Sequence, residues 1–234
     1  MGGMKGWFIT GTDTGVGKTA VLAALLCALR RAGRDAAPMK PVQTGCRRTR
    51  GGLVPPDLET ALRAAGFPPG AARDPRMCPY RFAPACSPHL AAARAGTRIR
   101  LSVILKAFRQ LAREHSVILV EGAGGLLVPL NERETMLDLM KALALPVVVA
   151  ARPGLGTLNH TLLTLRELRR EGLRVGGVIL VCTRPGRWGA IERDNMETLR
   201  RRGRVPVYRL SYGRGPPPSP RMVREAEHWL KDWT

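Results

Sequence analysis

The sequence predicts a doubly wound α/β fold, in which a mainly parallel sheet carries helices on both faces. Apolar, β-branched runs alternate along the chain with segments of helical periodicity, as expected for parallel strands joined by helices. The runs are hydrophobic throughout instead of alternating with polar residues, as strands covered on both faces require. With 234 residues, 44% of them hydrophobic, the chain can build one sizeable core, so we expect a single domain over residues 1–234.

The expected elements follow one another in a regular order. A strand at 6–11 leads into an Ala- and Leu-rich helix at 18–33, and a second strand lies in 35–42. Further continuous apolar runs predict strands at 116–125, 145–154, 175–183 and 205–210. Apolar residues at helical spacing predict helices at 101–115, 159–172 and 192–203. A proline-rich loop at 212–220 then leads into a last amphipathic helix at 221–233.

The charge balance is unusual, because 38 Lys and Arg residues against 18 Asp and Glu residues give a formal net charge of +20. Such a balance would suit a nucleic-acid binder. The basic residues are scattered, however, and aromatic residues, 5% of the total, do not interleave with them as a stacking platform would. We therefore expect a solvated, arginine-rich surface that favours anionic substrates, with nucleic acid disfavoured as a partner.

Neither secretion nor a membrane partner is indicated. No window of about 18 uncharged apolar residues occurs, and no long apolar run precedes the first strand. Five cysteines, odd in number and never spaced as C-x-x-C, argue against a disulfide framework or a zinc site. We expect a cytoplasmic protein with reduced thiols.

The loop after the first strand, in "FITGTDTGVGKTAV" (8–21), resembles the phosphate-binding loop (P-loop) of NTPases, although Thr12 stands where the usual spelling has glycine. Backbone N–H groups can still cradle phosphates at the helix N-terminus. Lys18 can place its charge on the β- and γ-phosphates, and the Thr19 hydroxyl can ligate Mg²⁺. We expect the nucleotide to contact Gly15, Val16, Gly17, Lys18, Thr19 and Ala20.

In doubly wound sheets the ligand lies at the carboxyl ends of the strands, and other candidate residues fall there. Glu121 ends an apolar run, where an unpaired buried carboxylate would be costly, so we interpret it as a Mg²⁺ ligand in preference to a structural acid. Lys40 follows a strand expected to lie beside the P-loop, and the alternative for it is a solvated surface lysine. Asp57, after Pro55 and Pro56 and before a helical pattern, is a good candidate N-cap.

Five motifs together resemble the dethiobiotin synthetase family, in the family's order and at similar spacing. They are "GTDTGVGKT" (11–19), "KPVQTG" (40–45), "SPHLAA" (87–92), "EGAGGLLVPL" (121–130) and "GLGTLNHTLLT" (154–164). Position 13 separates this family from the septum-site and partition ATPases and nitrogenase iron protein, which carry a signature lysine there; this chain has Asp13.

The resemblance implies a ligase of biotin biosynthesis that closes a ring on 7,8-diaminopelargonic acid with CO₂ and ATP. One amine becomes a carbamate, the γ-phosphate is transferred to it, and the other amine attacks the mixed anhydride. Such chemistry is mostly positioning and charge stabilisation. The resemblance gives Lys40, Lys18 and Thr14 catalytic roles, and assigns Gly122, Ala123 and Gly124 to the nucleotide.

The resemblance also implies metal ligands and a substrate site. Mg²⁺ would be held by Thr19, Glu121 and Asp57, so that Asp57 takes both roles, ligand and N-cap. The substrate would contact Thr14, Lys40 and Thr44, the last in a position where relatives carry serine. Its carboxylate would be bound across a homodimer interface by the loop with Gly154, Leu155, Gly156 and Asn159, Asn159 more as a cap or contact than as a catalyst.

The sequence departs from the family pattern where adenine is read. Val181, Cys182 and Thr183 stand where relatives commonly carry Asn soon followed by Asp, and "RLSYG" (209–213) replaces the segment that sandwiches the base. Nucleotide base preference could therefore be relaxed. Two alternatives are a partition-type NTPase switch, which Asp13 disfavours, and a ligase like cobyrinate diamide synthase, which would need a glutaminase domain as well.

Overall fold

The structure is a computed structural model and describes residues 6–186, 188–213 and 218–233. Its main sheet has six strands in the order β10-β9-β8-β1-β7-β2, all neighbours parallel. These strands are β1 (Gly6–Gly11), β2 (Ala36–Met39), β7 (Val117–Glu121), β8 (Val147–Ala151), β9 (Val175–Val181) and β10 (Val207–Leu210). Two short pairs accompany it: β3 (Val42–Gln43) with β6 (Tyr80–Arg81), and β4 (Arg47–Thr49) with β5 (Gly52–Val54).

Helices cover both faces of the main sheet, as the sequence predicts. They are α1 (Lys18–Arg31), α2 (Pro56–Ala64), α3 (Pro88–Arg94), α4 (Leu101–Glu114), α5 (Met136–Leu143), α6 (Thr157–Arg170), α7 (Ala190–Gly203) and α8 (Pro220–Trp233). A short 3₁₀ helix lies at Ala71–Arg73.

The core divides into two hydrophobic clusters because successive strand residues point to opposite faces. On one face Ile9 packs with the apolar residues of α1 and α8. On the other face its neighbour Phe8 packs with those of α4, α5, α6 and α7. Every residue of β1, β7 and β8 is buried, which explains why these strands read as uninterrupted apolar runs.

The structure corrects the expected neighbours of the second strand. β2 does not lie next to β1, because β7 is inserted between them. The carboxyl ends of β1, β7 and β2 nevertheless meet at one edge of the sheet, and this edge carries the P-loop, Glu121 and Lys40.

Two helices were not predicted from the apolar pattern. α3 has only seven residues and α5 only eight, too few for a clear period. α5 does carry a local start signal, a capping box in which the Thr135 side chain accepts from the Asp138 N–H and Asp138 accepts from the Thr135 N–H. Within the predicted loop at 212–220, residues 214–217 lie outside the described residues. Across the described ranges, no helix combines the length and apolarity that a membrane span requires.

Candidate active site

The glycine-rich loop joins the end of β1 to the start of α1. Gly17 is the N-cap of α1 with a φ of 96°, and a Cβ on it would lie 2.5 Å from Cγ1 of Val181, so conformation and packing both require glycine. Gly15 has a φ of 71° and open space where a Cβ would be. The loop leads into the N-terminus of α1, where backbone N–H groups and the helix dipole favour an anion.

Asp13 is held by atoms of its own chain. Its Oδ1 accepts a hydrogen bond from the Thr14 N–H (2.6 Å), and its carbonyl oxygen accepts one from Lys18 Nζ (2.8 Å). Arg152, the first residue after β8, has Nη2 3.3 Å from Asp13 Oδ2 and donates to the Thr14 carbonyl at 3.0 Å. Arg152 thus holds the P-loop from the neighbouring strand β8. Asp13, which Arg152 contacts, stands at the position where partition ATPases carry a lysine.

Lys40 lies between two carboxylates at the end of β2. Its Nζ is 2.6 Å from Glu121 Oε1 and 2.8 Å from Asp57 Oδ2. Glu121 Oε1 also accepts a hydrogen bond from the Thr19 hydroxyl at 2.9 Å. Lys40 is 3% exposed and Glu121 1%, so the interpretation of Lys40 as a solvated surface lysine is wrong.

One oxygen of this cluster lacks a partner. Oε2 of Glu121 is buried and has no hydrogen bond to any residue in the part of the chain that the structure describes. A buried carboxylate oxygen without a donor is unfavourable and is expected to have an additional ligand. Together with the Thr19 hydroxyl and the Asp57 carboxylate, it supplies the hard oxygen donors that Mg²⁺ prefers.

Burial and charge oppose each other in this cluster. Burial, the largest effect, disfavours the charged form of Lys40, but Glu121 and Asp57 together outweigh it and raise the pKa of Lys40. Burial raises the pKa of Glu121 in spite of Lys40. At the less buried Asp57, burial is outweighed by Lys40, and the pKa falls. Lys40 is therefore a fixed cation.

Lys18 behaves differently from Lys40. Burial and the repulsion from Lys40 lower the pKa of Lys18 to about 8, since the nearby carboxylates of Glu121, Asp57 and Asp13 compensate only in part. A bound phosphate would supply the additional negative charge that stabilises the protonated form of Lys18.

A cavity of about 710 Å³ joins the P-loop to the carboxylate cluster. The predicted residues that line it are Thr14, Gly15, Gly17, Lys18, Thr19, Lys40, Thr44, Asp57, Glu121, Ala123 and Gly124. Most of the residues predicted for nucleotide, metal and substrate are therefore brought together at one place, and the volume suits a nucleotide-sized ligand.

Other predicted residues lie outside the lining of this cavity. Val16 in the loop and Ala20 in α1 are not among the lining residues. Gly122 is not among them either, and a Cβ on it would lie 2.9 Å from the Phe8 ring. Gly154, Leu155, Gly156 and Asn159 form a separate loop and the first turn of α6. Leu155 is 88% exposed there, an unusual position for a large apolar side chain.

The N-cap predicted at Asp57 is wrong, and so is the cap alternative for Asn159, whose other alternative, a contact, stays a prediction. The N-cap of α2 is Pro55, and Asp57 is the second residue of the helix, where its carboxylate is free to pair with Lys40 and to accept from Gln43 Nε2 at 3.2 Å. The N-cap of α6 is Gly156, and Asn159 is an exposed residue within the first turn. Both N-cap residues, Pro55 and Gly156, lack a side chain that could cap the helix. A search for capping side chains therefore placed the first residue of each helix too late in the chain.

Some lining residues were missed by sequence reasoning. Gln43, Ala85, Cys86, Ser87, Pro88 and Val128 line the cavity but were given no role. The "SPHLAA" motif marked this segment without indicating its function. Arg152 could have been found only by its position directly after a strand end, the place from which the other site residues come.

The side chains at the end of β9 contact other residues of the protein. Val181 is buried and its side chain lies against Gly17. The Cys182 thiol accepts a hydrogen bond from Trp188 Nε1 at 2.8 Å, and the Arg209 guanidinium lies over the Trp188 ring, 4.8 Å from its centroid. The side chains at 181 and 182 are thus occupied within the protein.

Comparison with known proteins agrees with this geometry. A family model described as an AAA domain matches residues 5–208. An ATP-dependent dethiobiotin synthetase BioD of Anaeromyxobacter dehalogenans (strain 2CP-C) is 46% identical over 209 residues, covering 89% of this chain and 91% of that protein. The protein of the same name from Pseudomonas aeruginosa (strain UCBPP-PA14) is 41% identical over 210 residues, covering 87% of this chain and 90% of that one.

Solved structures with low identity share the architecture. The MinC:MinD cell division protein complex of Aquifex aeolicus gives a TM-score of 0.56 at 14% identity, over 96% of this chain and 86% of that chain. The predicted α/β P-loop NTPase fold is confirmed by this likeness, which extends to the fold alone. With relatives 41% and 46% identical over most of both chains, the chain belongs to the dethiobiotin synthetase family.

Proposed function

We propose that the protein catalyses the ATP-dependent ring closure of 7,8-diaminopelargonic acid with CO₂ to dethiobiotin. The observation that carries the proposal is the buried Lys40, held between Glu121 and Asp57 in the cavity that also contains the P-loop. A cation fixed at that place is suited to a carbamate and to the phosphoryl group transferred to it. The relatives' names state the same ATP-dependent activity.

The roles of the residues follow from their positions. Lys18 and the loop N–H groups would bind the triphosphate, and the Thr14 side chain, at the cavity wall, would hydrogen-bond the amine or carbamate of the substrate. Lys40 would keep the carbamate oxygen close to the γ-phosphorus and offset charge as the phosphoryl group moves. Thr44, on the wall of the cavity, would contact the substrate.

Mg²⁺ is proposed as the cofactor, held by Thr19, Glu121 and Asp57. The residues fit it, because Glu121 Oε2 has no donor among the residues that the structure describes and the three side chains offer oxygen only. The described residues contain no group of three or more His, Cys, Asp and Glu able to hold a metal, which agrees with an ion bound partly by nucleotide phosphates. Bound Mg²⁺ would neutralise phosphate charge.

The metal proposal predicts the behaviour of Glu121→Gln. The amide keeps the shape of the side chain but is a weaker Mg²⁺ ligand, so activity should fall and excess Mg²⁺ should partly restore it. The measurement is kcat/KM over a Mg²⁺ series, with Glu132→Gln at an exposed position as control. A Glu121→Gln variant whose activity does not depend on Mg²⁺ concentration would make Glu121 a structural acid.

A homodimer is proposed to complete the substrate site. The loop with the exposed Leu155 lies at the start of α6, where a helix N-terminus favours a carboxylate, yet it does not line the cavity of its own chain. We expect analytical ultracentrifugation under assay conditions to give a dimer. A monomer with full activity in the same buffer would remove this proposal.

Relaxed base preference is the finer proposal about the nucleotide. The side chains of Val181 and Cys182 contact Gly17 and Trp188. A base can then be bound only by backbone groups and by stacking, and the rest of the nucleotide's affinity comes from its triphosphate. We expect GTP, CTP and UTP to support ring closure with kcat/KM within about 30-fold of ATP, since no buried polar group is left unpaired by the wrong base. An ATP preference beyond about a thousandfold at fixed Mg²⁺ would mean that another group reads adenine.

The test of the proposed function is a coupled assay. Purified protein with Mg-ATP, bicarbonate and diaminopelargonate should release phosphate and form a product with the mass of dethiobiotin, in equal amounts. Omitting diaminopelargonate should stop phosphate release. ATP turnover at a rate independent of diaminopelargonate would favour a partition-type switch instead.

A single domain over residues 1–234 and a cytoplasmic location remain predictions.

A further inference from the structure

A second cavity lies at the open edge of the main sheet. It has a volume of about 690 Å³ and is formed by β10, α7 and α8. β10 is an edge strand, and β9 and β8 separate it from β1, so β10 lies about 14 Å across the sheet from the P-loop strand. None of its lining residues lines the active-site cavity.

Basic side chains dominate this cavity, which we call the basic groove. Its charged lining residues are Arg200, Arg209, Arg221, Arg224 and Glu225. Glu225 is already engaged, because it accepts hydrogen bonds from the backbone N–H (2.7 Å) and the hydroxyl of Ser211 and lies 3.3 Å from Arg221 Nε. Its one negative charge therefore balances Arg221 at most, and the groove keeps a strong positive potential.

Two of the arginines have no carboxylate partner among the described residues. Arg224 is exposed at the groove wall. Arg209 is only partly exposed, and its Nε is buried without a hydrogen-bond acceptor in the described ranges, although the guanidinium lies over Trp188. A buried guanidinium N–H without an acceptor is unfavourable. The Arg209 charge, which no carboxylate of the described ranges balances, remains available for an anion at the groove wall.

The surroundings limit what kind of anion fits. An added peptide strand is disfavoured, because Arg200 Nη2 already donates to the Val207 carbonyl of the edge strand at 3.0 Å. Stacking of nucleic-acid bases is disfavoured too, since Trp229 is 2% exposed and the Tyr208 hydroxyl is bound to Asp232. Planar guanidinium groups that line one groove match phosphate oxygens.

We propose that the basic groove is a second anion site that binds a small phosphate-bearing molecule, independently of the P-loop and of the ring-closure activity. The bound phosphate group would lie between Arg209 and Arg224, and would accept hydrogen bonds from both. The site is concave and separate from the active-site cavity, so its ligand does not compete with the nucleotide substrate for the same groups.

Isothermal titration calorimetry with inorganic pyrophosphate tests the proposal, at one fixed ionic strength. The unaltered protein should bind two molecules per chain, one at the P-loop and one in the groove. Lys18→Ala should weaken the first, and Arg209→Ala/Arg224→Ala should weaken the second by roughly tenfold or more. Arg201→Ala/Arg202→Ala removes two exposed arginines of α7 that do not line the groove, and it should change neither site by more than about twofold.

The outcomes are distinct. If the groove variant binds pyrophosphate as the unaltered protein does, or if the Arg201/Arg202 control loses as much affinity, no specific site exists and the proposal fails. Because Arg209 also packs on Trp188, circular dichroism checks the fold of each variant. Should the double variant not fold, Arg224→Ala alone decides, with a loss of at least about threefold expected. Failure of this site would leave the coupled assay for ring closure unaffected.

Discussion

Replacing Lys40 with alanine should lower kcat by at least about 100-fold, because it removes a fixed charge from the place where the phosphoryl group is transferred. Lys40 is buried between Glu121 and Asp57, and the raised pKa keeps it charged throughout the working range of pH. Among the described residues that line the cavity, Lys18 is the one other lysine or arginine, and it lies at the P-loop, so it cannot replace the charge of Lys40.

The same substitution affects the carboxylates. Without Lys40, Glu121 and Asp57 lose their shared cation, and removing one partner of a buried ion pair commonly costs about 3–5 kcal/mol. Thermal melts must therefore accompany the kinetics, and Lys106→Ala, at an exposed position, is the matched control. A folded Lys40→Ala variant whose kcat lies within about threefold of the unaltered protein would end the catalytic role of Lys40.

Lys18→Ala should lower kcat/KM for ATP by about 100-fold or more, because the P-loop loses its only charge on the β- and γ-phosphates. Lys18 Nζ donates to the Asp13 carbonyl. Since the ammonium has three donor hydrogens, Lys18 can keep this bond while it contacts a phosphate oxygen. If the Lys18→Ala variant bound and used ATP nearly as well as the unaltered protein, the loop N–H groups alone would hold the triphosphate.

Lys18 should also impose a pH dependence on ATP binding. Its pKa is lowered to about 8 by burial and by Lys40, whereas bound phosphate favours the charged form and raises it. Below pH 8 Lys18 is protonated and affinity should be constant; above it, binding must take up a proton, so Kd should rise up to about tenfold per pH unit. Titrations from pH 6.5 to 9.5 measure this, and Lys18→Ala should lack the change above pH 8.

The parts of the fold and site that sequence could predict depend on local signals. The buried strands are continuous apolar runs, and the P-loop is a contiguous motif between a strand and a helix. Glu121 could be singled out because a carboxylate at the end of such a run needs a partner, and the structure gives it Lys40 and Thr19 as partners, while its role as a metal ligand stays a prediction. These properties survive in the sequence because each is decided by neighbouring residues.

The rest depends on contacts between distant segments. That β7 separates β2 from β1 is a matter of sheet order, which no local pattern encodes. The brace from Arg152 to Asp13 and Thr14 joins residues that are far apart in the chain. The start of α2 was misplaced because Asp57 has the chemistry of a cap, while its carboxylate is used by Lys40 instead.

The ion pairs of Lys40 have a consequence for how ligands enter the site. The lysine and the two carboxylates serve as one another's counterions, and folding has removed Lys40 and Glu121 from water, while the Asp57 side chain stays 35% exposed. Binding a carbamate or phosphate oxygen therefore exchanges one anionic neighbour of Lys40 for another, so that the incoming anion has to be dehydrated but the Lys40 ammonium does not. The protein carries this electrostatic cost in its folded state, so substrate binding is a swap of partners with little reorganisation left for the reaction itself.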